Sequence, residues 1–88
     1  MNALAKIERA WALREMLGLA DALVAIRRNP EDILESTAIA GARVERDGWL
    51  IKVEFDGVAE RTVTDAAEAV SFWRRRARRE IARRGANA

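Results

Sequence analysis

The apolar positions near the amino end of the chain repeat with the period of an α-helix. Residues 3–28 are mostly strong helix formers, and Asn29 followed by Pro30 ends the run. At about 100° per residue, the apolar side chains form two stripes on nearly opposite sides of this first helix. One stripe consists of Leu4, Ile7 and Trp11. The other consists of Leu13, Met16, Leu17, Ala20, Leu23 and Val24.

Two stripes on opposite sides of a straight helix do not fit a single core. Either the helix bends or restarts near Gly18 and both stripes join one core, or its two halves face different neighbours. In the second case, the stripe of Leu4, Ile7 and Trp11 is a contact surface for another molecule. The sequence leaves both interpretations open.

A short second helix is predicted over 30–36. Asn29 fits its N-cap, Pro30 fits its first position, and Glu31 and Asp32 fit the positive end of the helix dipole. These two acids and Glu35 also allow a divalent cation site to be considered. Such a site takes about six oxygen ligands, usually in a loop, so we favour the capping interpretation and expect no metal or other cofactor.

Three β-strands are predicted over 39–46, 49–55 and 58–64, because each is joined to the next by Asp-Gly, which favours tight hairpin turns. A turn over 47–48 pairs Val44 with Ile51 and makes one face of the first hairpin apolar. That face consists of Ala40, Ala42, Val44, Trp49, Ile51, Val53 and Phe55. The other face is mixed in charge, so we expect helices to cover one face of the sheet only.

The second hairpin is less regular than the first. A simple two-residue turn over 56–57 points Glu60 and Thr62 into the core. A one-residue bulge in this turn brings Ala59 and Val63 there instead, and we therefore prefer the bulged register.

A last helix is predicted over 65–84, where Asp65 and Glu68 have the spacing of a capping box and Gly85 follows the final turn. Its apolar stripe consists of Ala66, Ala69, Val70, Trp73, Ala77 and Ile81. The fold class that follows is a two-layer α+β domain over 1–88. Its order is two helices, a three-stranded antiparallel meander and a helix, with the first and last helices on the sheet.

The composition indicates a folded domain without a catalytic centre. Of the 88 residues, 50% are apolar and 34% are charged, and there is neither Cys nor His. The remaining nucleophiles have no base at a recognisable spacing, so we expect neither an enzyme nor a small-molecule substrate. The longest apolar run contains Asp21 and is too short for a membrane span, and charges near the amino end favour the cytoplasm.

The charge is unevenly distributed along the chain. Residues 74–84 hold seven Arg and one Glu, whereas residues 1–73 hold nine basic and thirteen acidic residues. The helical wheel spreads these guanidinium groups over a broad surface, and Phe72 lies off the apolar stripe of the same helix. The positions best placed to bind an anionic partner are Arg74, Arg75, Arg78, Arg79 and Arg83.

Two functions fit this pattern. The first is a non-enzymatic adaptor that binds itself or another protein, with Leu4, Ile7, Trp11 and Phe72 as apolar anchors and the Arg-rich helix against an acidic surface. The second is a nucleic-acid-binding protein whose Arg-rich helix contacts phosphates. We favour the first because aromatic side chains that stack on bases are scarce.

Overall fold

The computed structural model describes residues 3–63 and 65–86, with side chains over 11–62 and 65–85. Three helices and a three-stranded antiparallel sheet of order β1-β2-β3 confirm the predicted α+β class and element order. The elements are α1 (Ala3–Ala25), α2 (Pro30–Ile39), β1 (Arg43–Asp47), β2 (Leu50–Phe55), β3 (Val58–Val63) and α3 (Ala66–Ala86). Within the described residues, no helix is long and apolar enough to cross a membrane.

Helix α1 is continuous through Gly18, so the interpretation in which it restarts there is wrong. It ends at Ala25, three residues before the predicted end. Arg27 adopts a left-handed conformation with φ of 59°, and the amide of Arg28 donates to the carbonyl of Leu23 at 3.0 Å. This is the hydrogen bond of a Schellman motif, formed here without glycine.

Helix α2 begins as predicted and ends later than predicted. The Asn29 side chain accepts a hydrogen bond of 2.9 Å from the amide of Glu31, which confirms the N-cap. Ile39 belongs to the helix and not to a strand. Gly41, with φ of 117°, follows the last turn, and the amide of Ala42 donates to the carbonyl of Thr37 at 2.9 Å. A glycine stop after Ile39 therefore displaces the start of β1 to residue 43.

The first hairpin has a different register from the predicted one. Val44 lies opposite Val53 and not opposite Ile51, because the two turn residues are Gly48 and Trp49. Gly48 has φ of 57° at the first turn position, as in a type II′ turn. A shift of two residues keeps Val44, Ile51 and Val53 on the core face, but it moves Trp49 into the turn, where it is 79% exposed. Ala40, also predicted on the core face, is instead the exposed C-cap of α2. The predicted core position of Trp49 is wrong.

The second hairpin has the simple turn and no bulge. Asp56 and Gly57 both have positive φ, 51° and 81°, as a type I′ turn requires. Val53 therefore lies opposite Glu60, and Ile51 lies opposite Thr62. The preferred bulged register was wrong, and a buried threonine occupies the core face of β3.

One core joins the helices to one face of the sheet. Helix α3 lies along β3 and β2, α2 lies near β1, and α1 packs mainly against α3 and α2 instead of lying along the strands as predicted. Asp65 caps α3 by accepting from the amide of Ala67 at 2.9 Å, and the predicted stripe faces the core. Trp73 is 2% exposed and donates through Nε1 to the carbonyl of Val58 at 3.2 Å. This bond ties α3 to β3.

Candidate functional site

Trp11 is exposed on the side of α1 that faces away from the core. Its side chain is 61% exposed, so the interpretation that seals the whole stripe inside the domain is wrong for this residue. Its Nε1 donates a hydrogen bond of 2.8 Å to Oε1 of Glu15, one turn later. Because the indole N–H is already paired, a partner can cover the ring without leaving a polar atom unsatisfied. The side chains of Leu4 and Ile7 lie outside the described part of the chain.

A shallow groove of about 330 Å³ lies beside this face, along the seam between α1 and α3. Leu17, Gly18, Ile81 and Ala82 form its apolar part. A Cβ at Gly18 would meet nothing within 4 Å, so this position is a notch in the surface of α1. Gly18 follows Trp11 by seven residues, and it therefore lies on the same side of the helix.

Asp21 holds two of the five predicted anion-binding arginines. One carboxylate oxygen accepts from Nε of Arg74 at 2.6 Å, and the other accepts from Nη2 of Arg78 at 2.6 Å. All three side chains lie where α1 packs against α3. Arg74 and Arg78 therefore serve the packing of the two helices, and the two guanidinium groups share one carboxylate.

Two further arginines of α3 bind the sheet. Arg76 approaches Glu60 of β3 at 3.4 Å. Arg84 donates to the carboxylate of Asp56 at 2.7 Å and to its backbone carbonyl at 2.8 Å, so it clamps the β2–β3 turn. Burial works to lower the pKa of Arg84, but the hydrogen bonds to Asp56 and Glu80 outweigh it and raise that pKa.

Glu80 is the centre of an ion-pair network on α3 itself. It accepts from Arg83, the fifth predicted anion-binding residue, and from Nε of Arg84 at 3.0 Å. The hydrogen bonds from Arg83 and Arg84 lower the pKa of Glu80 from its ordinary value of 4.5 to about 2. The same pairing raises the pKa of Arg83. Arg83 is therefore charged and paired at neutral pH.

The remaining two predicted arginines lie with Phe72 on one exposed side of α3. We call Phe72, Arg75 and Arg79 the cationic face of α3. The guanidinium carbon of Arg75 lies 5.5 Å from the ring centroid of Phe72, within range of a cation–π contact. Among the described side chains, neither Arg75 nor Arg79 has a carboxylate partner. The structure thus divides the predicted five-arginine surface into three paired residues and two available ones.

An acidic surface on α2 complements this charge. We call Asp32, Glu35 and Ile39 the acidic face of α2; all three are exposed, and Ile39 is 80% exposed. Glu31 instead pairs with Arg46 of β1. No group of three or more His, Cys, Asp or Glu side chains in the described residues could hold a metal ion. The sequence analysis did not place Ile39 beside these acids, because it assigned that position to a strand and not to α2.

No family model, curated protein or solved structure matches this chain.

Proposed function

We propose that this protein acts in the cytoplasm as a self-associating interaction module whose contact surface is the outer face of α1. The single observation that carries the proposal is the exposure of Trp11 on a helix whose opposite side forms the core. Tryptophan is enriched among the residues that dominate binding energy, because it offers a large and rigid apolar area. The paired indole N–H lowers the cost of covering it.

The order of residue sizes along this face favours a second copy in antiparallel orientation. Large residues stand at positions 4, 7 and 11, whereas the small residues Gly18, Ala22 and Ala25 follow on the same side and are exposed. A twofold axis near residues 14 and 15 sets Trp11 against Gly18 of the second copy. The same register sets positions 7 and 4 opposite Ala22 and Ala25. Large residues then meet small ones along the whole contact.

The expected affinity is moderate. With 61% of its surface exposed, Trp11 has about 120 Å² to bury, which contributes about 3 kcal/mol at 25 cal/mol per Å². Two such side chains give about 6 kcal/mol, while association costs at least about 4 kcal/mol. These two terms leave about 2 kcal/mol, whereas a micromolar dissociation constant corresponds to about 8 kcal/mol. A micromolar dimer therefore needs about 6 kcal/mol more from the rest of the face.

Sedimentation equilibrium over a concentration series tests the proposal. At high ionic strength, which screens contacts between exposed charges, the wild-type protein is expected to dimerise and Trp11→Ser is expected to remain a monomer. Trp49→Ser is the matched control, because Trp49 is even more exposed but lies in the β1–β2 turn. A wild type that stays monomeric at high micromolar concentration, or equal effects of the two substitutions, would contradict the proposal.

The antiparallel register has its own test at Gly18. The Gly18→Leu substitution should stabilise the monomer by about 0.5–1 kcal/mol, because Leu is a better helix former and the position is open. It should nevertheless abolish the dimer, because Leu fills the notch that receives Trp11. Combining Gly18→Trp with Trp11→Gly restores large-on-small packing and should recover the dimer. If the double variant stays monomeric while the wild type dimerises, the register is wrong but self-association stands.

A further inference from the structure

We infer a second contact between copies, in which the cationic face of α3 of one copy packs against the acidic face of α2 of another. This contact uses no residue of α1, so it goes beyond the proposed function and can exist without it. Each face is a single stripe on the side of its helix that faces away from the core. Each also carries charges that the described part of its own chain leaves without an ion-pair partner.

The two stripes run in opposite directions with spacings that differ by one residue at one position. On α3, Phe72 is followed by cations three and seven positions later; on α2, Ile39 is preceded by acids four and seven positions earlier. Side chains at such spacings lie on one side of a helix, within about 11 Å along its axis. Antiparallel docking sets Ile39 against Phe72, Glu35 against Arg75 and Asp32 against Arg79. One apolar pair and two ion pairs form together.

The charge balance of α3 identifies the occupant as a second copy. Five of the seven arginines between positions 74 and 84 already contact carboxylates of their own chain. Only two cations remain for a partner, and each phosphate contact on nucleic acid would need one, so counterion release would give little affinity. The acidic face of α2 offers two carboxylates at the matching spacing. A protein partner with two acids beside one apolar residue fits better than a polyanion.

The contact joins different surfaces of the two copies, so it is heterologous. A heterologous contact propagates into an open chain unless its rotation closes a ring. Its ion pairs are exposed, which makes it weak individually and sensitive to salt. Combined with a symmetric contact through α1, it would link dimers into larger assemblies at high protein concentration and low ionic strength.

The test uses charge reversal in a Trp11→Ser background, which removes the α1 contact and isolates this one. One variant carries Arg75→Glu and Arg79→Glu, and the other carries Asp32→Arg and Glu35→Arg. Each variant alone has like charges on both faces and should lose association about tenfold or more relative to the Trp11→Ser parent. Mixed in equal amounts, the two variants again present opposite charges to each other. Sedimentation velocity at low salt should then show association restored.

The controls separate this inference from its alternatives. Arg61→Glu changes a charge on the opposite face of the sheet and should leave association unchanged. Equal monomer profiles for parent, single variants and mixture would overturn the inference, whatever the result for α1 in the wild-type background. A labelled DNA duplex serves as the competing partner. Duplex binding that depends on Arg75 and Arg79, without association between copies, would also overturn it.

Discussion

Replacing Thr62 by Val should stabilise the protein. Thr62 is 4% exposed on the core face of β3, and its hydroxyl is the one buried side-chain polar atom without a hydrogen-bond partner in the described residues. A buried unsatisfied group costs about 1–3 kcal/mol, and Val has nearly the same shape and a higher preference for strands. We expect a gain of about 1–2 kcal/mol. For a domain of this size, each kcal/mol raises Tm by about 4–8 °C.

Thr37 is the matched control for this substitution. It is also 4% exposed, but its hydroxyl donates to the carbonyl of Leu34 at 2.9 Å. Thr37→Val removes a hydrogen bond that is made and should cost about 0.5–1.5 kcal/mol. Thermal and urea unfolding followed by circular dichroism measure both changes. If Thr62→Val lowers Tm or leaves it unchanged, the Thr62 hydroxyl is not an unpaired group in the core. The unbulged register of β2 and β3 is then refuted.

Two further predictions concern the arginines of α3. Asp21→Asn should destabilise the fold by about 1–2 kcal/mol, because Arg74 and Arg78 lose a shared carboxylate at a partly buried position. Glu45→Gln is the control and should change stability little, because its pair with Arg43 is exposed. Equal urea midpoints for the two variants would refute this. The pKa of Glu80 is lowered from 4.5 to about 2, so its ionised form stabilises the folded state. This stabilisation is fully present above pH 4.5 and is lost as pH falls from 4.5 towards 2. Glu80→Gln should therefore make the free energy of unfolding, measured in urea, less dependent on pH between 4.5 and 2. If the free energies of the variant and the wild type differ by the same amount at every pH, Glu80 does not have this role.

Capping residues and apolar periodicity predicted correctly those elements whose sequence fits only one local structure. Asp65 capped α3, Asn29 capped α2, and the apolar stripe of α3 reached the core as expected. In each case one residue satisfies a helix end, and no alternative structure uses the same positions. Helix periodicity and capping therefore suffice for the start and the apolar stripe of α3 and for the start of α2. The predicted stop at Gly85 is wrong, because α3 continues through it to Ala86.

The predictions failed where two local signals compete. The segment Asp47-Gly48-Trp49 allows a turn with glycine second or glycine first, and the two differ by two residues in register. The face pattern cannot separate them, since a shift of two leaves every side chain on its own face. The start of β1 is a separate question, for which the sequence did contain a deciding signal. Gly41 ends α2 and so keeps Ile39 out of the strand. Arg27 gives no such signal, because a left-handed arginine is indistinguishable in sequence from a helical one.

The ion pairs of α3 were beyond the reach of sequence analysis. Asp21 is 53 residues from Arg74, and Asp56 is 28 residues from Arg84, so only the packing of α1 and of the β2–β3 turn brings them together. The composition correctly indicated an Arg-rich helix, but it could not show which guanidinium groups are compensated. The cationic face of α3 emerges only after these partners are assigned.

The three tryptophans occupy two optical environments, one buried and two exposed, so the chain carries its own spectroscopic probes. Trp73 is shielded from water and should emit at short wavelength, whereas Trp11 and Trp49 are exposed and should emit at longer wavelength and be accessible to a quencher such as iodide. Unfolding then shifts the signal of Trp73. If copies associate through α1, rising concentration shifts the emission of Trp11 towards the blue and protects it from quenching, while Trp49 remains a constant internal reference. Variants that keep a single indole thus allow folding and assembly to be followed separately in unlabelled protein.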